Sequence, residues 1–536
     1  MSTGARHSSN DSRLSLSLAV AVVLAAAVVP YLSTIDDYFI RDDFGVVQLL
    51  ASKPARYFPA WFYTSWMDDI WGFLPDEVRP FPAVSYQLTA LPGAGNPIGH
   101  HAFNIALHAA NSVLVLAVAM LVARLRLFVA ALAAVVFAVL PVQAESVAWI
   151  TGRVDSMPAF FYLASFLAYA RWRERGGAGR YIVSLALFFI ALFTKQTTIT
   201  MVATLAAFDL LVGRRGEPLW KTALTHLPFL ALTAGYLLLR LRLFGQAVRE
   251  EHLTVEGAGQ FLTLANRHLT RVVVGDPDGS RLLTWLLIVL AAGISVAVTR
   301  ARREMLTVGL VLFFGPAWWL IGVAPVAVAG YESPRHVYLA SVAWAMLIGL
   351  AFEHLHRAPS DRRVPGFLRT GAALVVAAYA FLLAGVVREW NVLALISERA
   401  TQQLARESRV AEAGTLIVAG VPGRNWEWAL PFAARPPFTN ADLTARSFII
   451  SPRELYCCRQ QWFEDTRKTL RAWAAGPAPG SVVLTRIHER TGAAARLSTA
   501  EQPSLPAIAR TLLAVEDADL LDLGIRRLLD SLAVGP

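Results

Sequence analysis

Charge and cysteine are both scarce in this chain of 536 residues. Charged residues make up 16% of it and hydrophobic residues 55%, whereas soluble domains carry roughly 25% charged residues. The two cysteines, Cys457 and Cys458, are adjacent, which excludes a framework of several disulfides and leaves a vicinal disulfide or two ordinary thiols. We find no internal repeats and no glycine-rich loop in the context that binds nucleotide phosphates. The composition is that of an integral membrane protein.

A formal net charge of +10 would also suit a nucleic-acid-binding protein. The basic residues, however, form short clusters in alternate connections between apolar runs, which is the pattern of the positive-inside rule. We therefore predict that they mark the cytoplasmic side and exclude nucleic acid as a partner. The clusters are Arg124/Arg126, Arg171/Arg173/Arg175/Arg180, Arg214/Arg215/Lys221, Arg300/Arg302/Arg303 and Arg357/Arg362/Arg363/Arg369.

Apolar runs of near-spanning length predict an α-helical polytopic membrane protein with about 11 transmembrane helices. An odd number of spans places the C-terminal part outside. We predict a membrane module at residues 1–388, with a first extracytoplasmic loop at 33–100, and a small α/β extracytoplasmic domain at 389–536. The predicted spans are Leu14–Leu32, His101–Ala123, Leu127–Ala144, Ser156–Ala170, Tyr181–Phe193, Thr197–Val212, Thr222–Leu239, Leu282–Val298, Leu306–Val323, Val337–Phe352 and Thr370–Val387.

Within the C-terminal part, Thr415–Ala419 and Ser481–Thr485 are typical of short strands, and Glu489–Gly492 suits a hairpin turn. Ser504–Val534 has the period of a helix. The loop between Arg240 and Arg281 is polar, with a turn signal at its end.

Two aspartate pairs, Asp36-Asp37 and Asp42-Asp43, follow the first apolar run. Carboxylates held at a membrane boundary are usually functional, although acids that merely cap the outer end of a helix would look the same. Phe44–Leu50 and Tyr57–Trp66 mix apolar and aromatic residues, and we predict interfacial helices there.

The same predicted side gathers further charged and polar side chains. Each has a simpler interpretation, because a single cation at a helix end commonly snorkels to the interface. Together they suit an anionic lipid headgroup and a hydroxyl that a carboxylate deprotonates, with cations stabilising a phosphate leaving group. The candidates are Glu145, Arg153, Asp155, Lys195, Arg335, His336 and Tyr338, with His101, Asn104 and His108 on one helix face.

At these residues the chain resembles the GT-C superfamily of membrane glycosyltransferases, which use polyprenyl-phosphate sugars. Within it, the chain is most similar to the transmembrane-and-tetratricopeptide protein O-mannosyltransferases and their bacterial relatives. The resemblance covers about residues 33–350. It rests on RDDF at 41–44, RPFPAVSYQLTAL at 79–91, NPIGHHAFNIALHAANSVL at 96–114, LPVQAESVAWITGRVDSMPAFF at 140–161, TKQTTITM at 194–201 and ESPRHVYLASV at 332–342.

The resemblance implies an inverting transfer from a polyprenyl-phosphate sugar to an acceptor hydroxyl. Asp43, or else Asp42, would be the catalytic base. It implies that Arg153 and Arg335, with Lys195, bind the donor phosphate. Glu145 and Asp155 would orient their loop. His101, His108 and Tyr338 also match the family's motifs. Some members of the superfamily use a divalent cation such as Mg²⁺ or Mn²⁺, which the aspartate pairs would hold.

Two departures limit what carries over. Gln196 stands where such proteins commonly have an acid after the lysine, and no tetratricopeptide repeats follow the last span. The sequence therefore leaves open the sugar and the acceptor, whether protein, glycan or lipid. The Ala- and Arg-rich composition suggests a bacterial cytoplasmic membrane. The competing interpretation is a polytopic transporter or lipid flippase, although such proteins often show internal repeats.

Overall fold

The computed structural model consists of a bundle of apolar helices followed by a small unit of strands and helices. It describes residues 3–67, 77–90, 93, 95–213, 217–247, 257–302, 305–357, 364–410, 416–420, 426–456, 459–475, 483–487, 494–498 and 505–531. Several features singled out in the sequence lie outside these residues: Cys457, Cys458, the predicted turn Glu489–Gly492, and the basic residues Arg214, Arg215, Arg303, Arg362 and Arg363.

The bundle is formed by long apolar helices joined by short connections. Several helices are broken rather than straight, since 3-10 turns lie at Val29–Thr34 and Gln196–Thr200 and π-helical turns at Asp209–Gly213 and Phe313–Ala317. The helices are α1 (Thr3–Val28), α2 (Asp43–Ser52), α3 (Pro80–Thr89), α4 (Ile98–Leu121), α5 (Leu127–Val139), α6 (Ala144–Ala148), α7 (Arg153–Arg175), α8 (Ala178–Leu192), α9 (Met201–Phe208), α10 (Leu219–Phe244), α11 (Ala258–Val274), α12 (Arg281–Arg302), α13 (Met305–Leu312), α14 (Trp318–Val328), α15 (Val342–Arg357) and α16 (Val364–Val410).

Each predicted span overlaps one or more helices of the bundle. Among the described residues, six helices are long and apolar enough to cross a membrane. A seventh is obtained if α5 and α6, which meet at a 53° bend, form one span. The bend lies at Pro141, whose ring removes a backbone donor from the helix. The helical polytopic class is thus confirmed, while the number of eleven spans stays a prediction.

The first loop packs into the C-terminal unit, where we predicted free interfacial helices. Its aromatic rings meet those of the C-terminal unit, with centroid distances of 6.1 Å from Phe44 to Trp426 and 4.8 Å from Phe44 to Phe438. Val46, Val47 and Leu49 of α2 are also buried. The apolar character of this segment therefore serves a protein core rather than a membrane surface.

The C-terminal unit contains a four-stranded sheet in the order β2-β1-β3-β4. β1 runs parallel to both of its neighbours, and β4 is antiparallel to β3. The predicted strands coincide with β1 and β3, whereas β2 was not predicted. The elements are β1 (Leu416–Ala419), α17 (Trp426–Ala433), β2 (Ser447–Ile450), α18 (Arg459–Ala474), β3 (Val483–Ile487), β4 (Ala494–Ser498), α19 (Leu505–Leu513) and α20 (Ala518–Ser531).

Two features of the fold differ from a simple alternation of spans and loops. Helix α16 continues from the membrane module to Val410, so it passes through the predicted domain boundary at residue 388, which stays a prediction. Helix α11 lies inside the segment 240–281, for which we predicted only a polar loop. Its sequence mixes apolar and basic residues with helical spacing, and it brings those basic residues to the site described next.

Candidate active site

Asp43 ties the first loop to the connection that precedes α7. It is 1% exposed. Its Oδ1 accepts hydrogen bonds from the backbone N–H of Thr151 (2.9 Å) and from the Thr151 hydroxyl (2.6 Å), and its Oδ2 accepts one from the backbone N–H of Ile40 (3.0 Å). Burial raises the pKa of Asp43 to about 7, and the hydrogen bonds from Thr151 and Ile40 oppose that rise. Both carboxylate oxygens are therefore engaged inside the protein.

The connection that receives Asp43 is itself tightly held. The Asn104 amide on α4 donates to the carbonyls of Trp149 (2.8 Å) and Ile150 (3.2 Å), and the Trp149 indole N–H donates to the Ile40 carbonyl (3.2 Å). At Gly152 a Cβ atom would lie 2.2 Å from the backbone oxygen of Glu145. The turn thus needs glycine for close packing of one backbone on another.

Asp42 differs from its neighbour in having an open carboxylate. Within the described part of the chain this side chain is half-buried and accepts no hydrogen bond. Burial raises its pKa above the ordinary value, while the positive charges of Arg335 and Arg41 oppose the rise. Arg41 has a φ of 53°, a conformation that costs a non-glycine residue free energy and that clusters at functional sites. The first loop thus presents one anchored acid and one available acid.

Arg335 lies between two carboxylates. Its Nη1 is 3.5 Å from Oε1 of Glu145, and its Nε is 3.3 Å from Oδ2 of Asp155. The guanidinium also stands over the Trp149 ring, 4.6 Å from its centroid. The side chain nevertheless stays 22% exposed. This guanidinium is therefore fixed in orientation and still accessible.

Asp155 contacts basic side chains from two segments that are distant in the sequence. It forms an ion pair with Lys195 and lies 3.5 Å from Nδ1 of His336. Burial acts to raise the pKa of Asp155, but Lys195, His336 and Arg335 outweigh it and hold the pKa well below its usual range. Burial also lowers the pKa of His336 to about 4, so this ring is neutral at pH 7. The carboxylate therefore stays ionised and fixes the cluster.

Glu145 holds the opposite flank of the same loop. Its Oε2 accepts a hydrogen bond from the Ser333 hydroxyl (2.5 Å) and one from the backbone N–H of Arg335 (3.2 Å). The structure thus brings Glu145, Asp155, Lys195, Arg335 and His336 into one cluster, as their predicted grouping required.

Arg153 stands apart from that cluster. It is 0% exposed. Its guanidinium donates to the Asn104 side-chain oxygen (2.9 Å), the Thr89 hydroxyl (3.1 Å) and the His100 carbonyl (3.0 Å), and it packs on the ring of Tyr86 at 4.3 Å. In this position Arg153 joins α3, α4 and α7 and presents no open face to a donor.

The remaining predicted residues lie in contacts between elements. Nε2 of His101 is 3.0 Å from the Asp37 carbonyl, so this ring holds the first loop. Nδ1 of His108 is 2.7 Å from the hydroxyl of Tyr338, which also accepts a hydrogen bond from the Asn111 amide (3.1 Å). These two pairs join α4 to neighbouring segments.

The described residues contain no group of three or more His, Cys, Asp or Glu side chains placed to hold a metal ion. Of the acids proposed as ligands, Asp43 is fully engaged by backbone and hydroxyl donors, while Asp37 accepts two hydrogen bonds from the Asn391 amide. Asp36 is exposed and Asp42 is half-buried, so the described acids of these pairs do not converge on one point.

The sequence analysis did not identify the basic residues of α11 that contact the loop carrying Arg335. His268 is 2.7 Å from the Tyr331 carbonyl, Arg267 pairs with Glu332 (2.7 Å), and Arg271 donates to the Glu332 carbonyl. These contacts hold the loop that carries Arg335. Arg267, His268 and Arg271 have the spacing of one helix face, which could have indicated a helix. The glycines that flank the segment led us to predict a loop instead.

Comparison with known proteins yields relatives by sequence, whereas no protein-family model matches the chain. It is 29% identical over 208 residues to the protein O-mannosyl-transferase TMTC1 of Mus musculus, which is 36% of this chain and 22% of the relative. It is 32% identical over 204 residues to Tmtc2 of Drosophila melanogaster (36% and 21%) and 31% identical over 221 residues to TMTC4 of Homo sapiens (36% and 29%). The chain spans about a fifth to three tenths of these relatives. The predicted resemblance to them is confirmed.

Solved structures of membrane glycosyltransferases also align with the chain. ArnT of Cupriavidus metallidurans in the apo state covers 88% of this chain and 92% of its own at 15% identity, with a TM-score of 0.49. The mycobacterial arabinofuranosyltransferase AftD covers 90% and 36% at 16% identity, with a TM-score of 0.48. The resemblance stated above rests on the sequence matches.

The two neighbouring acids should respond differently to the same substitution. We expect Asp43→Asn to lower the free energy of unfolding by roughly 1–3 kcal/mol, because the amide turns a donor toward a buried N–H. Asp42→Asn removes no hydrogen bond and should leave the thermal unfolding temperature in detergent within error of wild type. Equal losses for both variants would contradict this division of roles.

Gly152→Ala should destabilise the protein by roughly 1–3 kcal/mol, because its methyl group would overlap the Glu145 carbonyl and the backbone must shift. Gly235→Ala is the matched control, since a Cβ there meets no atom within 4 Å. Thermal unfolding of both purified variants tests this. A Gly152 variant as stable as the Gly235 variant would show that the turn is not tightly packed.

Proposed function

We propose that the chain is a membrane glycosyltransferase that moves a sugar from a polyprenyl-phosphate donor to an acceptor hydroxyl on the extracytoplasmic face, with Asp42 as general base. The observation that carries the proposal is that one site holds a carboxylate that accepts no hydrogen bond from the described residues, Asp42, and an oriented and accessible guanidinium, Arg335, whose charge acts on it. Transfer of this kind needs both groups in one site, on opposite sides of the sugar: one takes the proton of the acceptor and the other stabilises the charge on the leaving phosphate.

The reaction follows from that pairing. The acceptor oxygen attacks the anomeric carbon while the Asp42 carboxylate takes the hydroxyl proton. The bond from the anomeric carbon to the phosphate oxygen breaks, and its electron pair leaves with the lipid phosphate. A single displacement of this kind inverts the anomeric configuration. Negative charge grows on the leaving phosphate, and a guanidinium stabilises it with two parallel N–H donors.

Geometry supports Asp42 over Asp43 as the base. A pKa near 7 would suit Asp43 for the role, but a general base must reach the proton that it removes. The Asp43 carboxylate is buried against Thr151 and Ile40, where no acceptor can approach. We assign Asp43 to positioning: it fixes the backbone from which Asp42 projects.

Arg335 is the residue best oriented to bind the donor phosphate. Its pairs with Glu145 and Asp155 set its direction in advance, which reduces the ordering that binding requires. Lys195 and His336 support it through Asp155. Arg153, which the resemblance implies as a second phosphate ligand, is assigned here to holding α3, α4 and α7 together.

An apolar groove beside this loop suits the donor's isoprenoid chain. It has a cavity volume of about 260 Å³ and lies between α11, α12, α14 and α15, with Leu262, Leu269, Trp285, Trp319 and Trp344 among its lining residues. The opposite side of α11 holds the Arg335 loop through Arg267 and Arg271. One amphipathic helix thus separates an apolar groove from a charged headgroup site, as a lipid-linked substrate requires.

The membrane side is inferred from the distribution of basic residues. The basic connections listed above support an extracytoplasmic position for the Asp42 site, in a bacterial cytoplasmic membrane, under the positive-inside rule. The relatives are named protein O-mannosyl-transferases, so a polyprenyl-phosphate mannose is the first donor to test.

Donor binding tests the proposal without knowledge of the acceptor. We expect saturable binding of a polyprenyl-phosphate sugar to the wild-type protein in detergent, and about tenfold weaker binding by Arg335→Gln, since one charge-assisted contact is lost. Arg281→Gln, an exposed arginine at the start of α12, is the matched control. If the folded protein binds none of several sugars, the transporter or flippase interpretation replaces this one.

The pH dependence of transfer tests the base. Asp42 must be ionised to act, so kcat at saturating donor should be lost as the pH falls through its raised pKa. Because Arg335 lowers that pKa, Arg335→Gln should move the acidic limb of the kcat profile to higher pH, while Arg281→Gln leaves it in place. Asp42→Asn should abolish transfer. An acidic limb that stays fixed in Arg335→Gln would refute the assignment of Asp42.

A further inference from the structure

A cavity with a charged rim lies at the ends of α4 and α7 that are remote from the candidate active site. Helices α4 and α7 begin at the candidate active site and run for 24 and 23 residues, which is roughly 35 Å at 1.5 Å per residue. Where they end, a cavity of about 210 Å³ opens between them, the end of α9 and the start of α13. Leu121, Phe208 and Val212 give it an apolar floor, and Arg124, Arg173 and Glu174 give it a charged rim.

The charges at this rim do not balance. Glu174 faces Arg124 at 3.4 Å and Arg175 at 3.9 Å, and it also pairs with Arg171. Three guanidinium groups thus share one carboxylate. Arg124 and Arg175 remain 57% and 60% exposed, so their charge is open to a further anion.

Arg173 is held in place from inside the bundle. Its Nε is 2.9 Å from Oδ1 of Asp209, which is 0% exposed and also accepts a hydrogen bond from the Tyr169 hydroxyl (2.5 Å). Nε2 of His226 lies 3.1 Å from the same carboxylate, and Glu217 pairs with Nη1 of Arg173 at 3.0 Å. Asp209 begins the π-helical turn Asp209–Gly213, a local form that is frequent at functional sites. A buried acid within a span is expected to have a function.

Arg124 occupies a backbone position that favours glycine. Its φ is 57°, in the left-handed region that costs a non-glycine residue free energy. The turn from α4 to α5 could be made more cheaply by glycine. The residue in this strained position is nevertheless an arginine, and its side chain lies on the cavity rim.

We propose that this cavity binds one anionic phospholipid of the cytoplasmic leaflet, with the headgroup phosphate on the exposed guanidinium of Arg124 and an acyl chain on the apolar floor. Basic residues that only set the membrane topology would need neither a cavity nor a strained backbone. Basic pockets between the cytoplasmic ends of helices are suited to phosphate headgroups. The apolar floor favours a lipid over free phosphate as the source of that group.

Native mass spectrometry of the full chain in detergent tests the site. The ligands are dioleoyl phosphatidylglycerol, dioleoyl phosphatidylcholine and inorganic phosphate. We expect phosphatidylglycerol to bind saturably and Arg124→Gly to weaken it about tenfold, since a charge-assisted contact is lost. The matched control is Arg369→Ala, which removes an exposed arginine of α16 outside the cavity. Because glycine relieves the strain, Arg124→Gly should unfold at the wild-type temperature or above it, so a loss of binding is not a loss of fold.

Three outcomes would overturn the proposal. Phosphatidylglycerol bound by Arg124→Gly as tightly as by wild type would remove the arginine from the site. Equal weakening in Arg369→Ala would indicate general surface charge. Equal binding of phosphatidylcholine, or saturable binding of inorganic phosphate without preference for phosphatidylglycerol, would exclude an anionic lipid as the ligand.

Discussion

The bonds from Thr151 to Asp43 are the constraint on which the candidate site depends. They join two segments that are 108 residues apart in the chain, and they do so with a carboxylate that is removed from water. A buried carboxylate without partners would be very costly, whereas one with several donors is tolerated. The first loop therefore has one favourable position against the connection before α7. Because Asp42 is the neighbour of Asp43 in the chain, this contact also fixes the position of Asp42.

The second constraint is electrostatic. Asp155, in the first turn of α7, meets Lys195 and Arg335 from two separate connections where the dielectric constant is low. A buried pair with one partner missing is strongly destabilising, so each of these residues fixes the others. Glu145 adds a further carboxylate on the other flank of Arg335. The guanidinium is thereby held between two acids, and it can meet an incoming phosphate without first being ordered.

Much of this arrangement could be predicted from the sequence, because membrane spans and charged connections leave strong local signals. The grouping of Glu145, Asp155, Lys195 and Arg335 followed from topology and resemblance alone. The division of labour between Asp42 and Asp43 could not be predicted, because adjacent acids look alike until their partners are known. Arg153 shows the same limit: its motif indicates importance, but only the packing of Tyr86, Asn104 and Thr89 around it shows that the guanidinium is buried, and its proposed role as a donor ligand stays a prediction. Helix α11 was missed because its amphipathic pattern lies inside a segment that looked like a polar loop.

Two arginines with left-handed backbones mark the two ends of the bundle. Arg41 lies beside the available acid of the candidate active site, and Arg124 lies on the rim of the opposite cavity. Elsewhere among the described residues, positive φ belongs to glycines, which adopt it without cost. Backbone strain of this kind persists where many surrounding contacts hold the residue in that conformation. At Arg41 the strained residue connects Ile40, whose backbone is bonded to Asp43 and Trp149, to Asp42. The left-handed turn leads into Asp42 and Asp43, the N-cap and first residue of α2, and successive positions at a helix start project in different directions, so one acid enters the core and the other the site.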